Sequence, residues 1–243
     1  LGMGLPWLFC SPLSRGRVEL CAEEAHHAAT VLRLRPNDSC QLFDGAGSVG
    51  DATVVAGKRQ KLILEVSAIQ QRPFEFRLRI TLAVALPKGH RQGFLIEKCT
   101  ELGAAAFWPI TSERSVAAPG PGTIEKLQRR AVEAAKQSNR AWLPTMEPVQ
   151  SFEAALQRAA DFDGMGLLHP VEKTRDYPGF LGPFSKGAGV LIGVGPEGGW
   201  TDQEVALAES AGAVVVSLGP SILRTETAAM AACAIAAKVA RPI

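Results

Sequence analysis

The sequence predicts an α/β protein in two parts: a small β-barrel, then an open, mostly parallel sheet with helices on both faces. Three observations predict it. Residues 17–72 hold short strand-like runs broken by glycine turns, with one helical stretch among them. From Arg79 onward, strand and helix patterns alternate. Two unusual loops, at 193–199 and 218–227, each follow a strand-like run and lead into a helix, where parallel sheets bind ligands.

The elements follow in order. Leu1–Cys10 is apolar but lacks a basic flank and a small-residue cleavage site, so it reads as a buried first strand rather than a signal peptide. Arg17–Leu20 is a short alternating strand and Glu23–Leu34 a helix. Strands at Cys40–Phe43, Ala52–Val55 and Lys61–Ile69 are separated by turns at Asp44–Gly47 and Ala56–Arg59. Gln70–Pro73 is the junction, which gives expected domains at 1–72 and 73–243. Beyond it, Arg79–Leu86 is a strand, and a helix from about Arg91 to Leu102 is stopped by Gly103. Ala104–Ile110 is the next strand. Thr123 caps a helix to about Gln137, and Ser151 caps one over Phe152–Ala160. Gly166–Leu168, Gly189–Val194 and Ala213–Leu218 complete the strands, and Arg224–Val239 is the last helix.

Bulk properties set the context. With 243 residues, 47% hydrophobic and 21% charged, the chain can bury a core without disulfides. No apolar run approaches the ~20 residues of a membrane span, so no membrane partner is expected. Cys10, Cys21, Cys40, Cys99 and Cys233 are scattered and form no C-x-x-C pair. Reduced cytoplasmic thiols are expected, with no metal site. His26 and His27 are adjacent on a helix and diverge, which favours one packed and one exposed side chain over a metal pair. The net charge of +2 permits a nucleic-acid partner without arguing for one.

Gly193, Gly195 and Gly198 spell G-x-G-x-x-G, yet a dinucleotide site is excluded on three counts. Only 45 residues follow Gly198, too few for the rest of such a fold. Leu218-Gly219-Pro220 stands where a ribose-binding acid belongs, and Glu197 would set an anion beside the phosphates. Thr201 and Glu204 have the spacing of a capping box, which explains the helix start but not the glycines before it. Close approach of the backbone to a ligand is expected there. Neighbouring strands would bring the two loops into one pocket, with Ile192, Leu218, Ile222 and Leu223 as apolar walls. Its polar groups are Glu197, Arg224, Thr225 and Glu226. That set lacks a histidine base, a serine elbow and a metal cluster. It suits group transfer in which a cofactor carries the reactive group.

Ile192–Trp200 and Leu218–Ala228 resemble the two cofactor loops of the SPOUT methyltransferases, and specifically those of the RsmE family. Leu86–Gly89, Glu97–Gly103, Ser112–Val116 and Glu133–Ser138 match the same family, as do Glu23–Leu34 and Phe43–Gly47 in its RNA-binding domain. The similarity runs almost end to end. It departs near the start, where Pro6-Trp7-Leu8-Phe9 replaces a segment that tends to carry an Arg. The resemblance implies a SPOUT-type parallel sheet with a C-terminal trefoil knot, preceded by a small PUA-like β-barrel domain. It implies methylation of N3 of a uridine in 16S ribosomal RNA of the small subunit, S-adenosyl-L-methionine as cofactor, and a homodimer. The cofactor is expected against Leu168, His169, Ile192, Gly193, Gly195, Pro196, Glu197, Gly198, Leu218, Gly219, Ser221, Ile222 and Leu223.

RNA contacts are expected from Arg129 and Arg130, with Arg33, Arg35, Lys88, Arg91 and Arg114 extending the surface. Lys126, Lys136 and Arg140 belong to the same basic stretch, which reads equally as a phosphate grip and as a solvated face. A uridine N3 must lose its proton to attack a methyl group. Arg224 is expected to stabilise the resulting oxyanion, and Glu226 or Glu197 to take the proton. Glu197 could instead fix its own loop. The alternative reading is an RNA-binding or ribosome-assembly protein with a non-catalytic methyltransferase fold, against which the intact glycines argue.

Overall fold

A computed structural model of the chain describes residues 5–58, 61–116, 119–170 and 175–239. Leu1–Gly4 of the expected opening strand and Arg59 of the expected turn lie outside them. The chain divides into two compact units. The first runs through Glu75 and also takes in Ala135–Leu143; the second holds Phe76–Ala134 and the chain from Pro144 on.

In the first unit β1 (Trp7–Phe9), β2 (Gly16–Glu19), α1 (Ala22–Thr30), β3 (Ser39–Phe43), β4 (Ser48–Lys58) and β5 (Lys61–Gln71) build a sheet of order β1-β3-β4-β5-β2. β1 pairs with β3 in parallel and the other pairings are antiparallel. The path runs from β1 to β2, and among the described residues no ladder joins these two edges. Ala25 and Ala28 of α1 pack instead against Leu8, Leu42, Leu64 and Val66, burying the sheet's inner face. The returning segment docks Ala135 and Ala141 against Trp7, Phe43 and Val49. Lys136, only 6% exposed, pairs with the buried Glu24 at 2.8 Å. A buried lysine needs such a partner, because an unpaired charge there is costly.

The second unit contains β6 (Arg79–Ala85), α2 (His90–Glu101), β7 (Ala106–Thr111), α3 (Thr123–Ser138, whose last turn belongs to the first unit), β8 (Thr145–Met146) and β9 (Gln150–Ser151). It continues with α4 (Phe152–Gln157), β10 (Gly164–Leu168), β11 (Arg175–Asp176), α5 (Tyr177–Leu181), β12 (Gly189–Val194), α6 (Asp202–Ser210), β13 (Val214–Ser217) and α7 (Thr225–Val239). The strand order is β11-β13-β10-β12-β6-β7-β8, with β9 also on β7, and every pairing is parallel. Successive side chains of a strand face opposite ways. Ile80, Leu82 and Val84 of β6 therefore pack with α2, α5 and α7, while Ala83 and Ala85 pack with α4 and α6. Two cores result, one on each face of the sheet, as the alternation of strand and helix patterns predicts.

Candidate active site

Three strand ends meet at one edge of the second unit. β12 leads into Gly195–Trp200, β13 into Leu218–Arg224, and β10 into His169-Pro170. The sequence predicts the first two strands as neighbours, but β10 lies between them. The loops after β12 and β13 still converge, across the end of β10, on a cavity of about 350 Å³. Leu168, His169, Gly195, Pro196, Glu197, Gly198, Leu218, Gly219, Ser221, Ile222 and Leu223 line it. Ile192 and Gly193 do not. Ile192 is fully buried in the core with α2 and α7, two residues short of Val194, which shares its face of the sheet and does reach the cavity. Gly193 pairs inside the sheet with Leu167, whose Cδ1 would lie 2.7 Å from an added Cβ.

The loop's glycines have reasons within the chain itself. A Cβ on Gly195 would sit 3.0 Å from the Trp200 indole, and one on Gly198 would sit 3.1 Å from Arg114 Cβ. Gly199 and Gly219 take φ of +70° and +131°, where side chains are strained. Trp200, absent from the sequence-derived site, is the plug under the loop: its Nε1–H donates to the Leu168 carbonyl at 3.1 Å, and its ring packs on Phe152. Thr225 at the start of α7 donates its hydroxyl to the Gly195 carbonyl at 2.9 Å, tying the two loops together. Arg114 Nη1 donates to the carbonyls of Gly198 (3.1 Å) and Trp200 (3.3 Å). Arg114 thus braces the loop, whatever else it touches.

The capping box of α6 forms as its spacing predicts. Thr201 Oγ1 accepts from Glu204 N–H, and Glu204 Oε2 accepts from Thr201 N–H. Glu204 Oε1 accepts the Glu113 N–H at 2.9 Å, which anchors the Arg114 loop to the same helix start.

Arg91 of α2 stands between the two candidate proton acceptors. Its Nη2 is 2.9 Å from Glu197 Oε1 and its Nη1 3.8 Å from Glu226 Oε1. Glu197, expected to bond amides of its own loop or to take a proton, is held by this guanidinium. Glu226 is 7% exposed, and its Oε2 has no hydrogen-bond partner among the described residues. Arg224 is exposed and makes no ion pair with any described residue. His169 Nδ1 is buried without a partner among the described residues. Burial pushes the imidazole pKa down against a smaller upward pull from Asp202, which favours the neutral ring.

The remaining basic candidates divide between the units. Lys88, Arg129 and Arg130 are exposed on the second, and Arg33 and Arg35 on the first, in the turn that follows α1. Lys136 and Arg140 are not available to phosphates: Lys136 is paired with Glu24, and Arg140, 4% exposed, lies 3.6 Å from Glu75 and over the Phe74 ring. Among the described residues no group of three or more His, Cys, Asp or Glu could hold a metal ion. No helix among them is long and apolar enough to cross a membrane.

Comparison with known proteins extends this geometry. Residues 74–237 match a family model described as an RNA methyltransferase domain, and residues 20–67 one described as an RNA methyltransferase PUA domain. The ribosomal RNA small subunit methyltransferase E of Synechocystis sp. is 38% identical over 220 residues, covering 89% of this chain and 71% of that protein. Its counterpart in Bacillus subtilis is 33% identical, covering 86% of this chain and 85% of that protein. The crystal structure of the Neisseria gonorrhoeae counterpart bound to S-adenosyl methionine superposes with a TM-score of 0.85 at 32% identity, covering 95% of this chain and 96% of that one.

Proposed function

The chain belongs to the RNA methyltransferase family that includes ribosomal RNA small subunit methyltransferase E, and on that premise we propose that it methylates N3 of a uridine in 16S ribosomal RNA, with S-adenosylmethionine as the donor. The observation that carries this reading is a pair of side chains in a cleft that shares Ile222 and Leu223 with the cavity. A free guanidinium, Arg224, stands beside a buried carboxylate, Glu226, whose second oxygen lacks a partner.

The cavity fits the donor. Its volume of about 350 Å³ is in the range of small-molecule sites, and Leu218, Ile222 and Leu223 offer apolar sides to a heterocycle. His169 Nδ1, buried without a partner among the described residues, is a polar atom that a bound ligand would satisfy. Leu168, His169, Gly195–Gly198, Leu218, Gly219 and Ser221–Leu223 would hold the cofactor. When bound, it supplies a methyl group on a sulfonium, which passes to N3 as the sulfonium becomes a neutral thioether.

The protein must do the rest. Uracil N3 is an imide nitrogen, so its proton has to leave, and in this reading Glu226 accepts it. Negative charge then builds on O2 or O4, and the Arg224 fork supplies N–H donors to it. Holding base and methyl group in line lowers the barrier by several kcal/mol. The test is incubation with small-subunit RNA and methyl-labelled cofactor, with the label mapped by mass spectrometry. Label on N3 of one uridine is expected; label on another atom rejects the N3 assignment. RNA binding without any transfer would favour the assembly-protein alternative. Arg224→Ala is expected to lower the single-turnover rate by about 10²–10³ while cofactor affinity holds. Wild-type turnover in that variant would make Arg224 structural.

The same reading includes two properties of the folded chain: a trefoil knot through the cofactor loops and a homodimer. The resemblance and the Ala-rich α7 support the dimer, whose interface should bury on the order of 1,600 Å² or more. Light scattering from an active monomer at micromolar concentration would reject it.

A further inference from the structure

We propose that the target base is received in a second cavity, a cleft of about 670 Å³ between the N-terminal turns of α2 and α7, stacked on Phe94. The proposal rests on the uridine reading above and names where the uracil ring goes and what selects it.

The cleft is lined by His90, Arg91 and Phe94 from α2 and by Arg224, Glu226 and Met230 from the α7 side. Ile222 and Leu223 line both this cleft and the 350 Å³ cavity, so the two spaces adjoin at that pair, of which Ile222 is 86% exposed. A base in the cleft would therefore reach a methyl donor in the cavity beside that pair. Phe94 is 44% exposed although it sits on a helix whose next two residues, Leu95 and Ile96, are fully buried. An aromatic face held open beside two guanidinium groups suits a planar base, which stacks on such faces.

The charge pattern then selects among bases. Uracil presents one N–H, at N3, flanked by two carbonyl oxygens. The cleft offers the complement: an acceptor in Glu226, 93% buried by its 7% exposure and with Oε2 unpartnered, and cationic donors in Arg224 and Arg91. Cytosine fails here, because its N3 carries a lone pair that would face the carboxylate. Arg91 acts as a positioning residue, since its contacts to Glu197 and Glu226 join the cofactor loop to the base cleft. The target base must leave its stack to enter, as with other enzymes that work on a base.

The experiment uses the full chain and small-subunit RNA transcribed with 4-thiouridine, irradiated in complex and mapped by mass spectrometry. Cross-links are expected on His90–Phe94 or on the start of α7. In parallel, Phe94→Ala is expected to lower single-turnover methylation roughly tenfold to a hundredfold, with cofactor affinity and thermal stability unchanged. Phe94→Trp should recover most of the loss, which a merely structural role would not allow. Glu226→Gln should lose less activity on RNA containing 5-fluorouridine, whose N3 proton is more acidic. If wild-type protein does not methylate uridine at all, the functional reading falls. If it does, but Phe94→Ala turns over normally or the cross-links map elsewhere, the cleft assignment alone falls. A Phe94→Ala monomer beside a wild-type dimer, with no cross-link in the cleft, would assign the cleft to a second copy of the chain.

Discussion

Gly195 separates what the residues say from what the space around them says. The sequence predicts that its missing side chain admits a ligand, and the residue does line the cavity. The nearer reason is Trp200, whose indole is 3.0 Å from the position a Cβ would take. Trp200 in turn is 5% exposed and bonded to the Leu168 carbonyl, so it has little room to yield. Gly195→Val is therefore expected to lower the melting temperature as well as cofactor affinity, where a purely ligand-facing glycine would affect affinity alone. Thermal denaturation without cofactor decides it; an unchanged melting temperature would return the residue to the ligand. The signal for Trp200 was present in the sequence as an aromatic directly after a glycine run. Nothing in the sequence states that the ring folds back beneath its own loop, because that contact depends on Phe152, brought close only by the sheet. Arg91 was legible as a basic residue and no further, since its partners Glu197 and Glu226 are distant in sequence.

Elements were legible where local chemistry and tertiary environment agree. α6 begins where the Thr201–Glu204 spacing places it, and β12 spans the residues its apolar run marks. β4 reaches from Ser48 to Lys58, beyond the predicted Ala52–Val55, because pairing with both β3 and β5 overrides the weak strand preference of Gly50 and Asp51. α1 stops at Thr30 rather than Leu34, and the chain turns away through Arg33 at φ +56°. α5 was missed because Tyr-Pro-Gly reads as a turn; here Asp176 caps it by accepting the Gly179 N–H, with proline in the first turn. The α6 cap supports more than its own helix. Thr201→Ala should cost about 0.5–2 kcal/mol by leaving one helix N–H without its acceptor. Glu204→Ala also frees the Glu113 N–H, and with it the loop from which Arg114 braces Gly198. Its cofactor affinity should fall further than that of Thr201→Ala for a similar loss of stability. Calorimetry beside thermal denaturation tests this, and equal affinities would show that the Arg114 loop holds without the anchor.

At the scale of the whole molecule, α/β alternation and a separate N-terminal sheet were readable, while the return of Ala135–Leu143 to the first unit was not. That return turns on Ala135, Ala141 and a buried Lys136–Glu24 pair between residues far apart in the chain. It also decides which cations remain for RNA. In a basic helix every lysine and arginine looks alike, yet Lys136 and Arg140 are buried in pairs while Arg129 and Arg130 are exposed. If these two arginines grip phosphates, each contact releases counterions. The slope of log affinity against log salt should then shrink by about 0.7–0.9 for each one lost. Arg129→Ala with Arg130→Ala should therefore weaken RNA binding at low salt, flatten the slope by roughly 1.4–1.8, and leave cofactor affinity intact. Filter binding across a salt series measures both terms at once. A parallel loss with no change in slope would mean that the arginines shape the helix rather than touch phosphate. No loss at all would make them a solvated face and move the RNA footprint to Arg33, Arg35 and Lys88.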